Sequence, residues 1–413
     1  MFGGGTSLYE ESKNKIIKFL AMILAVICIL IGISLKDSEF IQTYKERKEQ
    51  AYVCALERTI DFTIDSKTTF RELKDGYIRC TKDGVTCVGS STWNETYTLN
   101  SPVLISDGNI TAVTELKNRT AYVFNEKGKM YSVQTNGEIV HFSINKLGNL
   151  ALIINEQDRY TVNLYNTKGE IILSRYENET QIFPLAVDIS DDLECMAISY
   201  LDTSSTQTEG YNSKILFYSI KNEDSYTDNL IPNASVERKN EIITILKYMN
   251  ENNLIAISDS SVIAINNEYE KKWEKEFGNY ITAIDTSNPN IIVFGFGKPL
   301  PNKNGVEEGT ALWYNLEGNK LGEFYTGSKI ETVVSKSDRV AIYSNKVIYG
   351  VNTKGTLLWE YPVIQDVEKL MIFDDLSRIF AVYQNSADII NVRAKEEETT
   401  KLNLEGAEDN ELG

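Results

Sequence analysis

Histidine is almost missing from this chain of 413 residues, where His141 stands alone. It sits in EIVHFSIN at the start of an expected strand, with no motif around it, so a structural role is the expectation. No serine-nucleophile elbow, P-loop or dinucleotide-binding glycine pattern occurs either, which removes the commonest motif-borne chemistries. Cysteine is scarce. Cys28, Cys54, Cys80, Cys87 and Cys195 are too few and too scattered for a disulfide scaffold, and no CxxC or Cys/His spacing suits zinc. Basic charge is in deficit: Lys+Arg 42 against Asp+Glu 59 gives a net charge of −17, so the surface field repels a polyanion and nucleic acid is excluded as a partner class. Beyond residue 58 no amphipathic helix of useful length can be drawn.

What is present favours strands. Hydrophobic residues make up 42% of the chain, enough to demand a buried core, and Tyr 23 and Phe 15 accompany many Ile, Val and Thr. Such β-branched and aromatic side chains pack well on a pleated surface. Cys80 and Cys87 flank a Lys82-Asp83-Gly84 turn. A two-residue turn at Asp83-Gly84 would oppose them and make a bridge feasible; a three-residue turn with a glycine bulge would put them out of register. Two free thiols are the favoured reading.

One long apolar run stands apart. FLAMILAVICILIGISL, from Phe19 to Leu35, carries no charge, and with Ile16, Ile17 and a snorkelling Lys18 it is long enough to span a bilayer. Eleven of its residues are Ile, Leu, Val or Phe. At about 0.3–0.6 kcal/mol each, their insertion energy outweighs one terminal lysine. The run exceeds a signal-peptide core and lacks a small-x-small cleavage site after it, so an uncleaved anchor is expected. Lysines and arginines balance across the segment, leaving orientation undecided by charge. The expected organisation is a short cytoplasmic tail over 1–15, an anchor over 16–35, a linker over 36–57, a β domain over 58–393 and an acidic, disordered tail over 394–413.

Within the β domain a self-similar turn recurs: FNEKGKMYS from Phe124, YNTKGEIIL from Tyr165, YNLEGNKLG from Tyr314 and VNTKGTLLW from Val351. Asn closes a tight turn through its side chain and Gly takes the positive φ. Gly169 follows Gly128 by 41 residues and Gly355 follows Gly318 by 37, close to the length of a four-stranded propeller blade. Degenerate turns at Lys221-Asn222 and Asn266-Asn267, with GVTCVGS near the start and ADIINVR near the end, bring the expected third strands to eight. The sequence therefore predicts an all-β propeller of eight four-stranded blades, with seven as the alternative, on a single N-terminal transmembrane helix. RTIDFTI, from Arg58, is the expected outer strand of the last blade, which would close the ring and cover a sheet edge. Trp93, Trp273 and Trp359 fall just after turns, where a large ring can wedge between blades.

PLAVDISDDLECMAISYLD from Pro184, SKILFYSI after it and AYVFNEKGKMYSV before it carry a resemblance. They look like an uncharacterised family of membrane-anchored, quinoprotein-like β-propeller proteins of Gram-positive bacteria. The resemblance implies a cell-membrane protein with its propeller outside the cytoplasm, and implies no reaction. Quinone-dependent dehydrogenases, which this repeat type also resembles, use adjacent cysteines and a carboxylate-bound calcium; this chain has no Cys-Cys pair. Asp188, Asp191, Asp192 and Glu194 lack the glycine and spacing of a calcium loop and read as an ordinary turn. No catalytic residue, metal or cofactor is assigned.

Two long loops interrupt blades between their second and third strands, LDTSSTQTEGYNSK from Leu201 and GKPLPNKNGVEEGT from Gly297. Loops on a rigid scaffold are where binding residues gather, so Asp202, Glu209, Tyr211, Lys303, Glu307 and Glu308 form a candidate binding rim. The leading expectation is a non-catalytic binding or scaffold module for an envelope protein or wall component. The alternative is an envelope glycan hydrolase, whose paired carboxylates no sequence pattern can identify.

Overall fold

A computed structural model describes residues 51–63, 67–73, 76–177, 181–204, 211–220 and 232–395. The predicted anchor, Glu209, the turn at Lys221-Asn222 and nearly all of the acidic tail lie outside the described residues. No described helix is long and apolar enough to cross a membrane.

Thirty-two strands form eight four-stranded antiparallel sheets. In chain order the blades span 69–96, 103–134, 138–177, 182–239, 243–276, 279–325 and 330–362, and the eighth combines 369–394 with the strand Tyr52–Asp61. The number is eight, not seven, and each expected third strand holds that place in its blade. The reason is visible in burial. Inner and middle strands lie between neighbouring blades, so LALIIN (Leu150–Asn155) and NLIAIS (Asn253–Ser258) are buried on both faces and read as unbroken apolar runs. Outer strands such as ASVERK (Ala234–Lys239) alternate half-buried with exposed.

The recurrent turn joins third to fourth strands. The Oδ1 of Asn166 accepts from the amides of Lys168 at 2.9 Å and Glu170 at 3.0 Å, while Gly169 sits at φ +82°. Asn315 and Asn352 repeat the arrangement. In the fifth blade Asn266 does the same, but Tyr269 holds the glycine position at φ +66°. Its ring packs on Phe217 of the fourth blade, 5.0 Å between centroids, which offsets the strained backbone.

Tryptophans fasten blade to blade as expected. Trp93 donates its indole N–H to the Glu126 carbonyl at 2.9 Å and Trp273 to that of Leu316 at 2.8 Å, in each case the turn of the following blade. Trp359 packs into the core shared by the seventh and eighth blades. Trp313, in a third strand, adds a bond to the Thr353 carbonyl at 2.7 Å. The turn glycine makes room for this: a Cβ on Gly318 would meet Trp273 at 2.7 Å.

Two local readings change. The turn between Cys80 and Cys87 is Lys82-Asp83, with Thr81 opposite Gly84, so Cys80 faces Val85 and Cys87 faces Ile78. Both thiols are free and buried. A side chain at Gly84 would lie 2.2 Å from the Glu95 carbonyl, so this glycine serves the close approach of the next strand rather than the turn. The closing strand is longer than expected, reaching back to Tyr52 into the segment read as linker, and pairs with Ser386–Ala394 from Tyr52 opposite Ala394 to Asp61 opposite Ser386.

Removing 52–61 leaves one edge of the eighth blade open and uncovers the apolar faces beneath Tyr52, Cys54 and Ile60. A polypeptide starting at Phe62 is expected to be at least about 3 kcal/mol less stable in urea denaturation than one starting at Tyr52. Equal midpoints would show that the ring closes without this strand.

Candidate binding face

Each blade runs inner to outer strand, so turns joining first to second and third to fourth strands lie at one end of the ring. Loops joining second to third strands, and links between blades, lie at the other. The two ends differ in character.

At the turn end, charged residues from seven blades converge on the channel mouth, around a cavity of 520 Å³. Lys247 of the fifth blade bonds Asp107 of the second at 2.6 Å, a chord across the ring. Lys336 of the seventh reaches Glu72 of the first at 3.2 Å and also pairs with Asp374 of the eighth. Lys146 pairs with Asp191 at 2.8 Å. Below them a hydrogen-bonded girdle links inner strands. Asp188 accepts from Ser143 Oγ of the blade before and from the Tyr248 amide of the blade after, the latter at 2.6 Å. Asp285 accepts from the Ser335 amide at 2.7 Å and from Ser287 Oγ at 2.6 Å. Arg71 donates to the Gly108 and Ile110 carbonyls. Burial raises the pKa of both aspartates, while for Lys247 the nearby Asp188 and Asp107 overcome burial and raise it. Three lysines and four carboxylates of this mouth are thereby paired with one another. Asp192 accepts from Ser190 Oγ at 2.6 Å and Asp188 points to other blades, so the acidic turn of the fourth blade spreads its carboxylates among separate partners, as an ordinary turn does.

The loop end carries both interrupted loops, in the fourth and sixth blades. Asp202, half-buried, accepts from Ser204 Oγ at 2.6 Å and its amide at 2.9 Å, which hold its pKa below the usual carboxylate range. Tyr211, half-buried, precedes the third strand, and its carbonyl accepts from the Asn240 amide at 2.9 Å. In the sixth blade the loop is pinned from below. Asn279, buried, donates to the carbonyls of Gly297 and Val306, both at 2.8 Å, and accepts from the Val306 amide at 2.7 Å. Lys303 and Glu307 are thereby presented to solvent and Glu308 is half-buried; Glu307 accepts from the Tyr325 hydroxyl at 2.7 Å, and Lys303 lies 3.9 Å from Glu276. The rim thus divides between two blades with one blade between them.

Sequence reasoning missed the aromatic and apolar part of this end. Tyr280 is 54% exposed, Tyr325 46% and Ile364, in the link between seventh and eighth blades, 95%. Leu116 is also exposed here, whereas Leu147, Ile171 and Leu321 are exposed at the turn end. Tyr280 and Tyr325 open and close the sixth blade, and no local pattern marks an end residue as exposed.

A closed ring of eight four-stranded blades, sealed by the strand Tyr52–Asp61, defines an eight-bladed β-propeller. The chain belongs to the family of unknown function DUF5711, which matches residues 47–392. Among solved structures it is similar in fold to BamB from Moraxella catarrhalis, at 12% identity and a TM-score of 0.51, covering 82% of this chain and 100% of that one. Sqt1 of Saccharomyces cerevisiae is similar at 11% identity and a TM-score of 0.52, covering 80% and 97%. No curated protein matches the chain.

His141 lies on the inner strand of the third blade beside a bulge, and burial lowers its pKa to about 4 from the ordinary 6.5. The folded state refuses a proton that the unfolded chain accepts, so the stability owed to neutral His141 is full above pH 6.5 and lost as pH falls toward 4. Replacing it by leucine is expected to remove up to about 3 kcal/mol of that acid loss, measured as the difference between wild-type and H141L unfolding curves from pH 7 to 4. Parallel curves would show that His141 is not buried neutral.

Proposed function

We propose that this chain is a non-catalytic binding module, anchored in the cell membrane by its N-terminal helix, whose propeller lies outside the cytoplasm and holds an envelope protein at the loop end. The observation that carries this reading is the sixth-blade loop: Asn279 fixes its backbone while Lys303, Glu307 and the flanking Tyr280 and Tyr325 stay accessible. Such ordering before contact reduces the entropy lost on binding. Groups that chemistry would draw on are engaged elsewhere, His141 in burial and Asp188 and Asp285 in the girdle. The extracytoplasmic placement rests on the apolar run Phe19–Leu35 and on the resemblance carried by the segment from Pro184.

Val306 packs on the core between the fifth and sixth blades, so excising the loop would disturb the fold; surface substitutions are the cleaner test. A triple variant of Lys303, Glu307 and Glu308 to serine is expected to weaken partner cross-linking in intact membranes more than tenfold without lowering the melting temperature. Wild-type capture by a folded triple variant would remove the rim from the interaction. Protease added to intact protoplasts is expected to digest the propeller, and protection until lysis would refute the extracytoplasmic placement.

A further inference from the structure

We propose that the arc of the loop end over the sixth to eighth blades docks a protein surface that is basic and carries an apolar pocket for Ile364. This rests on the binding-module reading and names the partner's chemistry. Ile364 is almost fully exposed, yet its neighbours are fixed. Val363 and Val367 are buried in the core of the last two blades, and the Val363 amide donates to the Lys346 carbonyl at 2.8 Å. Gln365 reaches Ser386 Oγ at 3.3 Å, and Asp366 accepts from Tyr343 at 3.3 Å and from Lys346. An isoleucine flanked by two buried valines cannot turn inward without unseating one of them, so the link holds it out at a fixed point. An apolar side chain so held is a ready anchor for a partner's pocket.

Charge selects the partner. Along this arc five carboxylates, Glu307, Glu308, Glu331, Asp366 and Glu368, stand against four lysines, Lys298, Lys303, Lys329 and Lys346, of which Lys303 and Lys346 already face Glu276 and Asp366. The whole chain carries −17. A second copy, an anionic wall polymer or an anionic lipid surface would meet like charge, whereas a basic protein face is steered toward the arc.

The test uses the full chain in nanodiscs of zwitterionic lipid, with empty discs subtracted. The probe is a fluorescent peptide of alternating lysine and leucine, with its glutamate–leucine counterpart as control. The lysine peptide is expected to bind, more weakly at high salt, and to lose at least tenfold in affinity with Ile364→Asp although that change adds negative charge. Leu147→Asp at the turn end should leave binding unchanged. Equal losses at both positions, no loss at Ile364, or equal binding of the glutamate peptide would overturn the proposal. So would a change of sedimentation coefficient with I364D, which would make a second copy the occupant. If the arc fails while the triple serine variant still loses its cross-linked partner, the binding-module reading stands and the Ile364 arc alone is wrong.

Discussion

Everything in this molecule depends on one antiparallel ladder, the pairing of Tyr52–Asp61 with Ser386–Ala394. A blade is a thin sheet that buries its faces only against two neighbours, so an open row of eight would leave its first and last blades each with an uncovered face. The ladder brings the ends of the row together: Phe70 and Tyr77 of the first blade pack against Phe380 of the eighth, with ring centroids 5.1 and 5.5 Å from it. Tyr52 extends the seal to the seventh blade, where Arg339 donates to its hydroxyl at 2.8 Å. Rigidity at the loop end follows, because Asn279 can fix a loop only if the strand that carries it is itself fixed.

Inside the ring, buried carboxylates of the inner strands take partners on other blades. Asp188 bridges three blades and Asp285 two. Removing either would strand several donors, each at a cost of about 1–3 kcal/mol. These carboxylates and His141 respond to acid with opposite sign. Burial raises the aspartate pKa values, so their contribution is full at low pH and declines as pH rises through the folded values, whereas that of His141 declines as pH falls. The acid behaviour of the ring is a balance between two sets of buried groups.

The third strands of the second, third, fifth, sixth and seventh blades were legible because each precedes a turn whose chemistry is local: an Asn whose side chain closes it and, mostly, a Gly at positive φ. Where Tyr269 replaces the glycine the Asn still marked the place. The start of the closing strand was not legible. Residues such as Ala55 and Glu57 face solvent on an edge strand and look like linker until their partner strand is known. The channel mouth was invisible for a different reason, since Asp107 and Lys247 are brought together by ring geometry across 140 residues. The pairing of loops at one end followed from strand order alone, but the exposure of Ile364 depends on which of three apolar neighbours in PVIQDV the core accepts.

The register of the closing ladder also sets how the ring bears load. Tyr52 and Ala394 face each other at the turn end, so a pull between the two extensions would peel the ladder from that end one pair at a time. A pull between the N-terminal side and something held at the loop end runs along the strand instead and loads all the ladder's bonds together, in shear. The ring is thus mechanically directional: easily unzipped by its own ends, and strongest along the line joining its entry point to the face on which it would carry a partner.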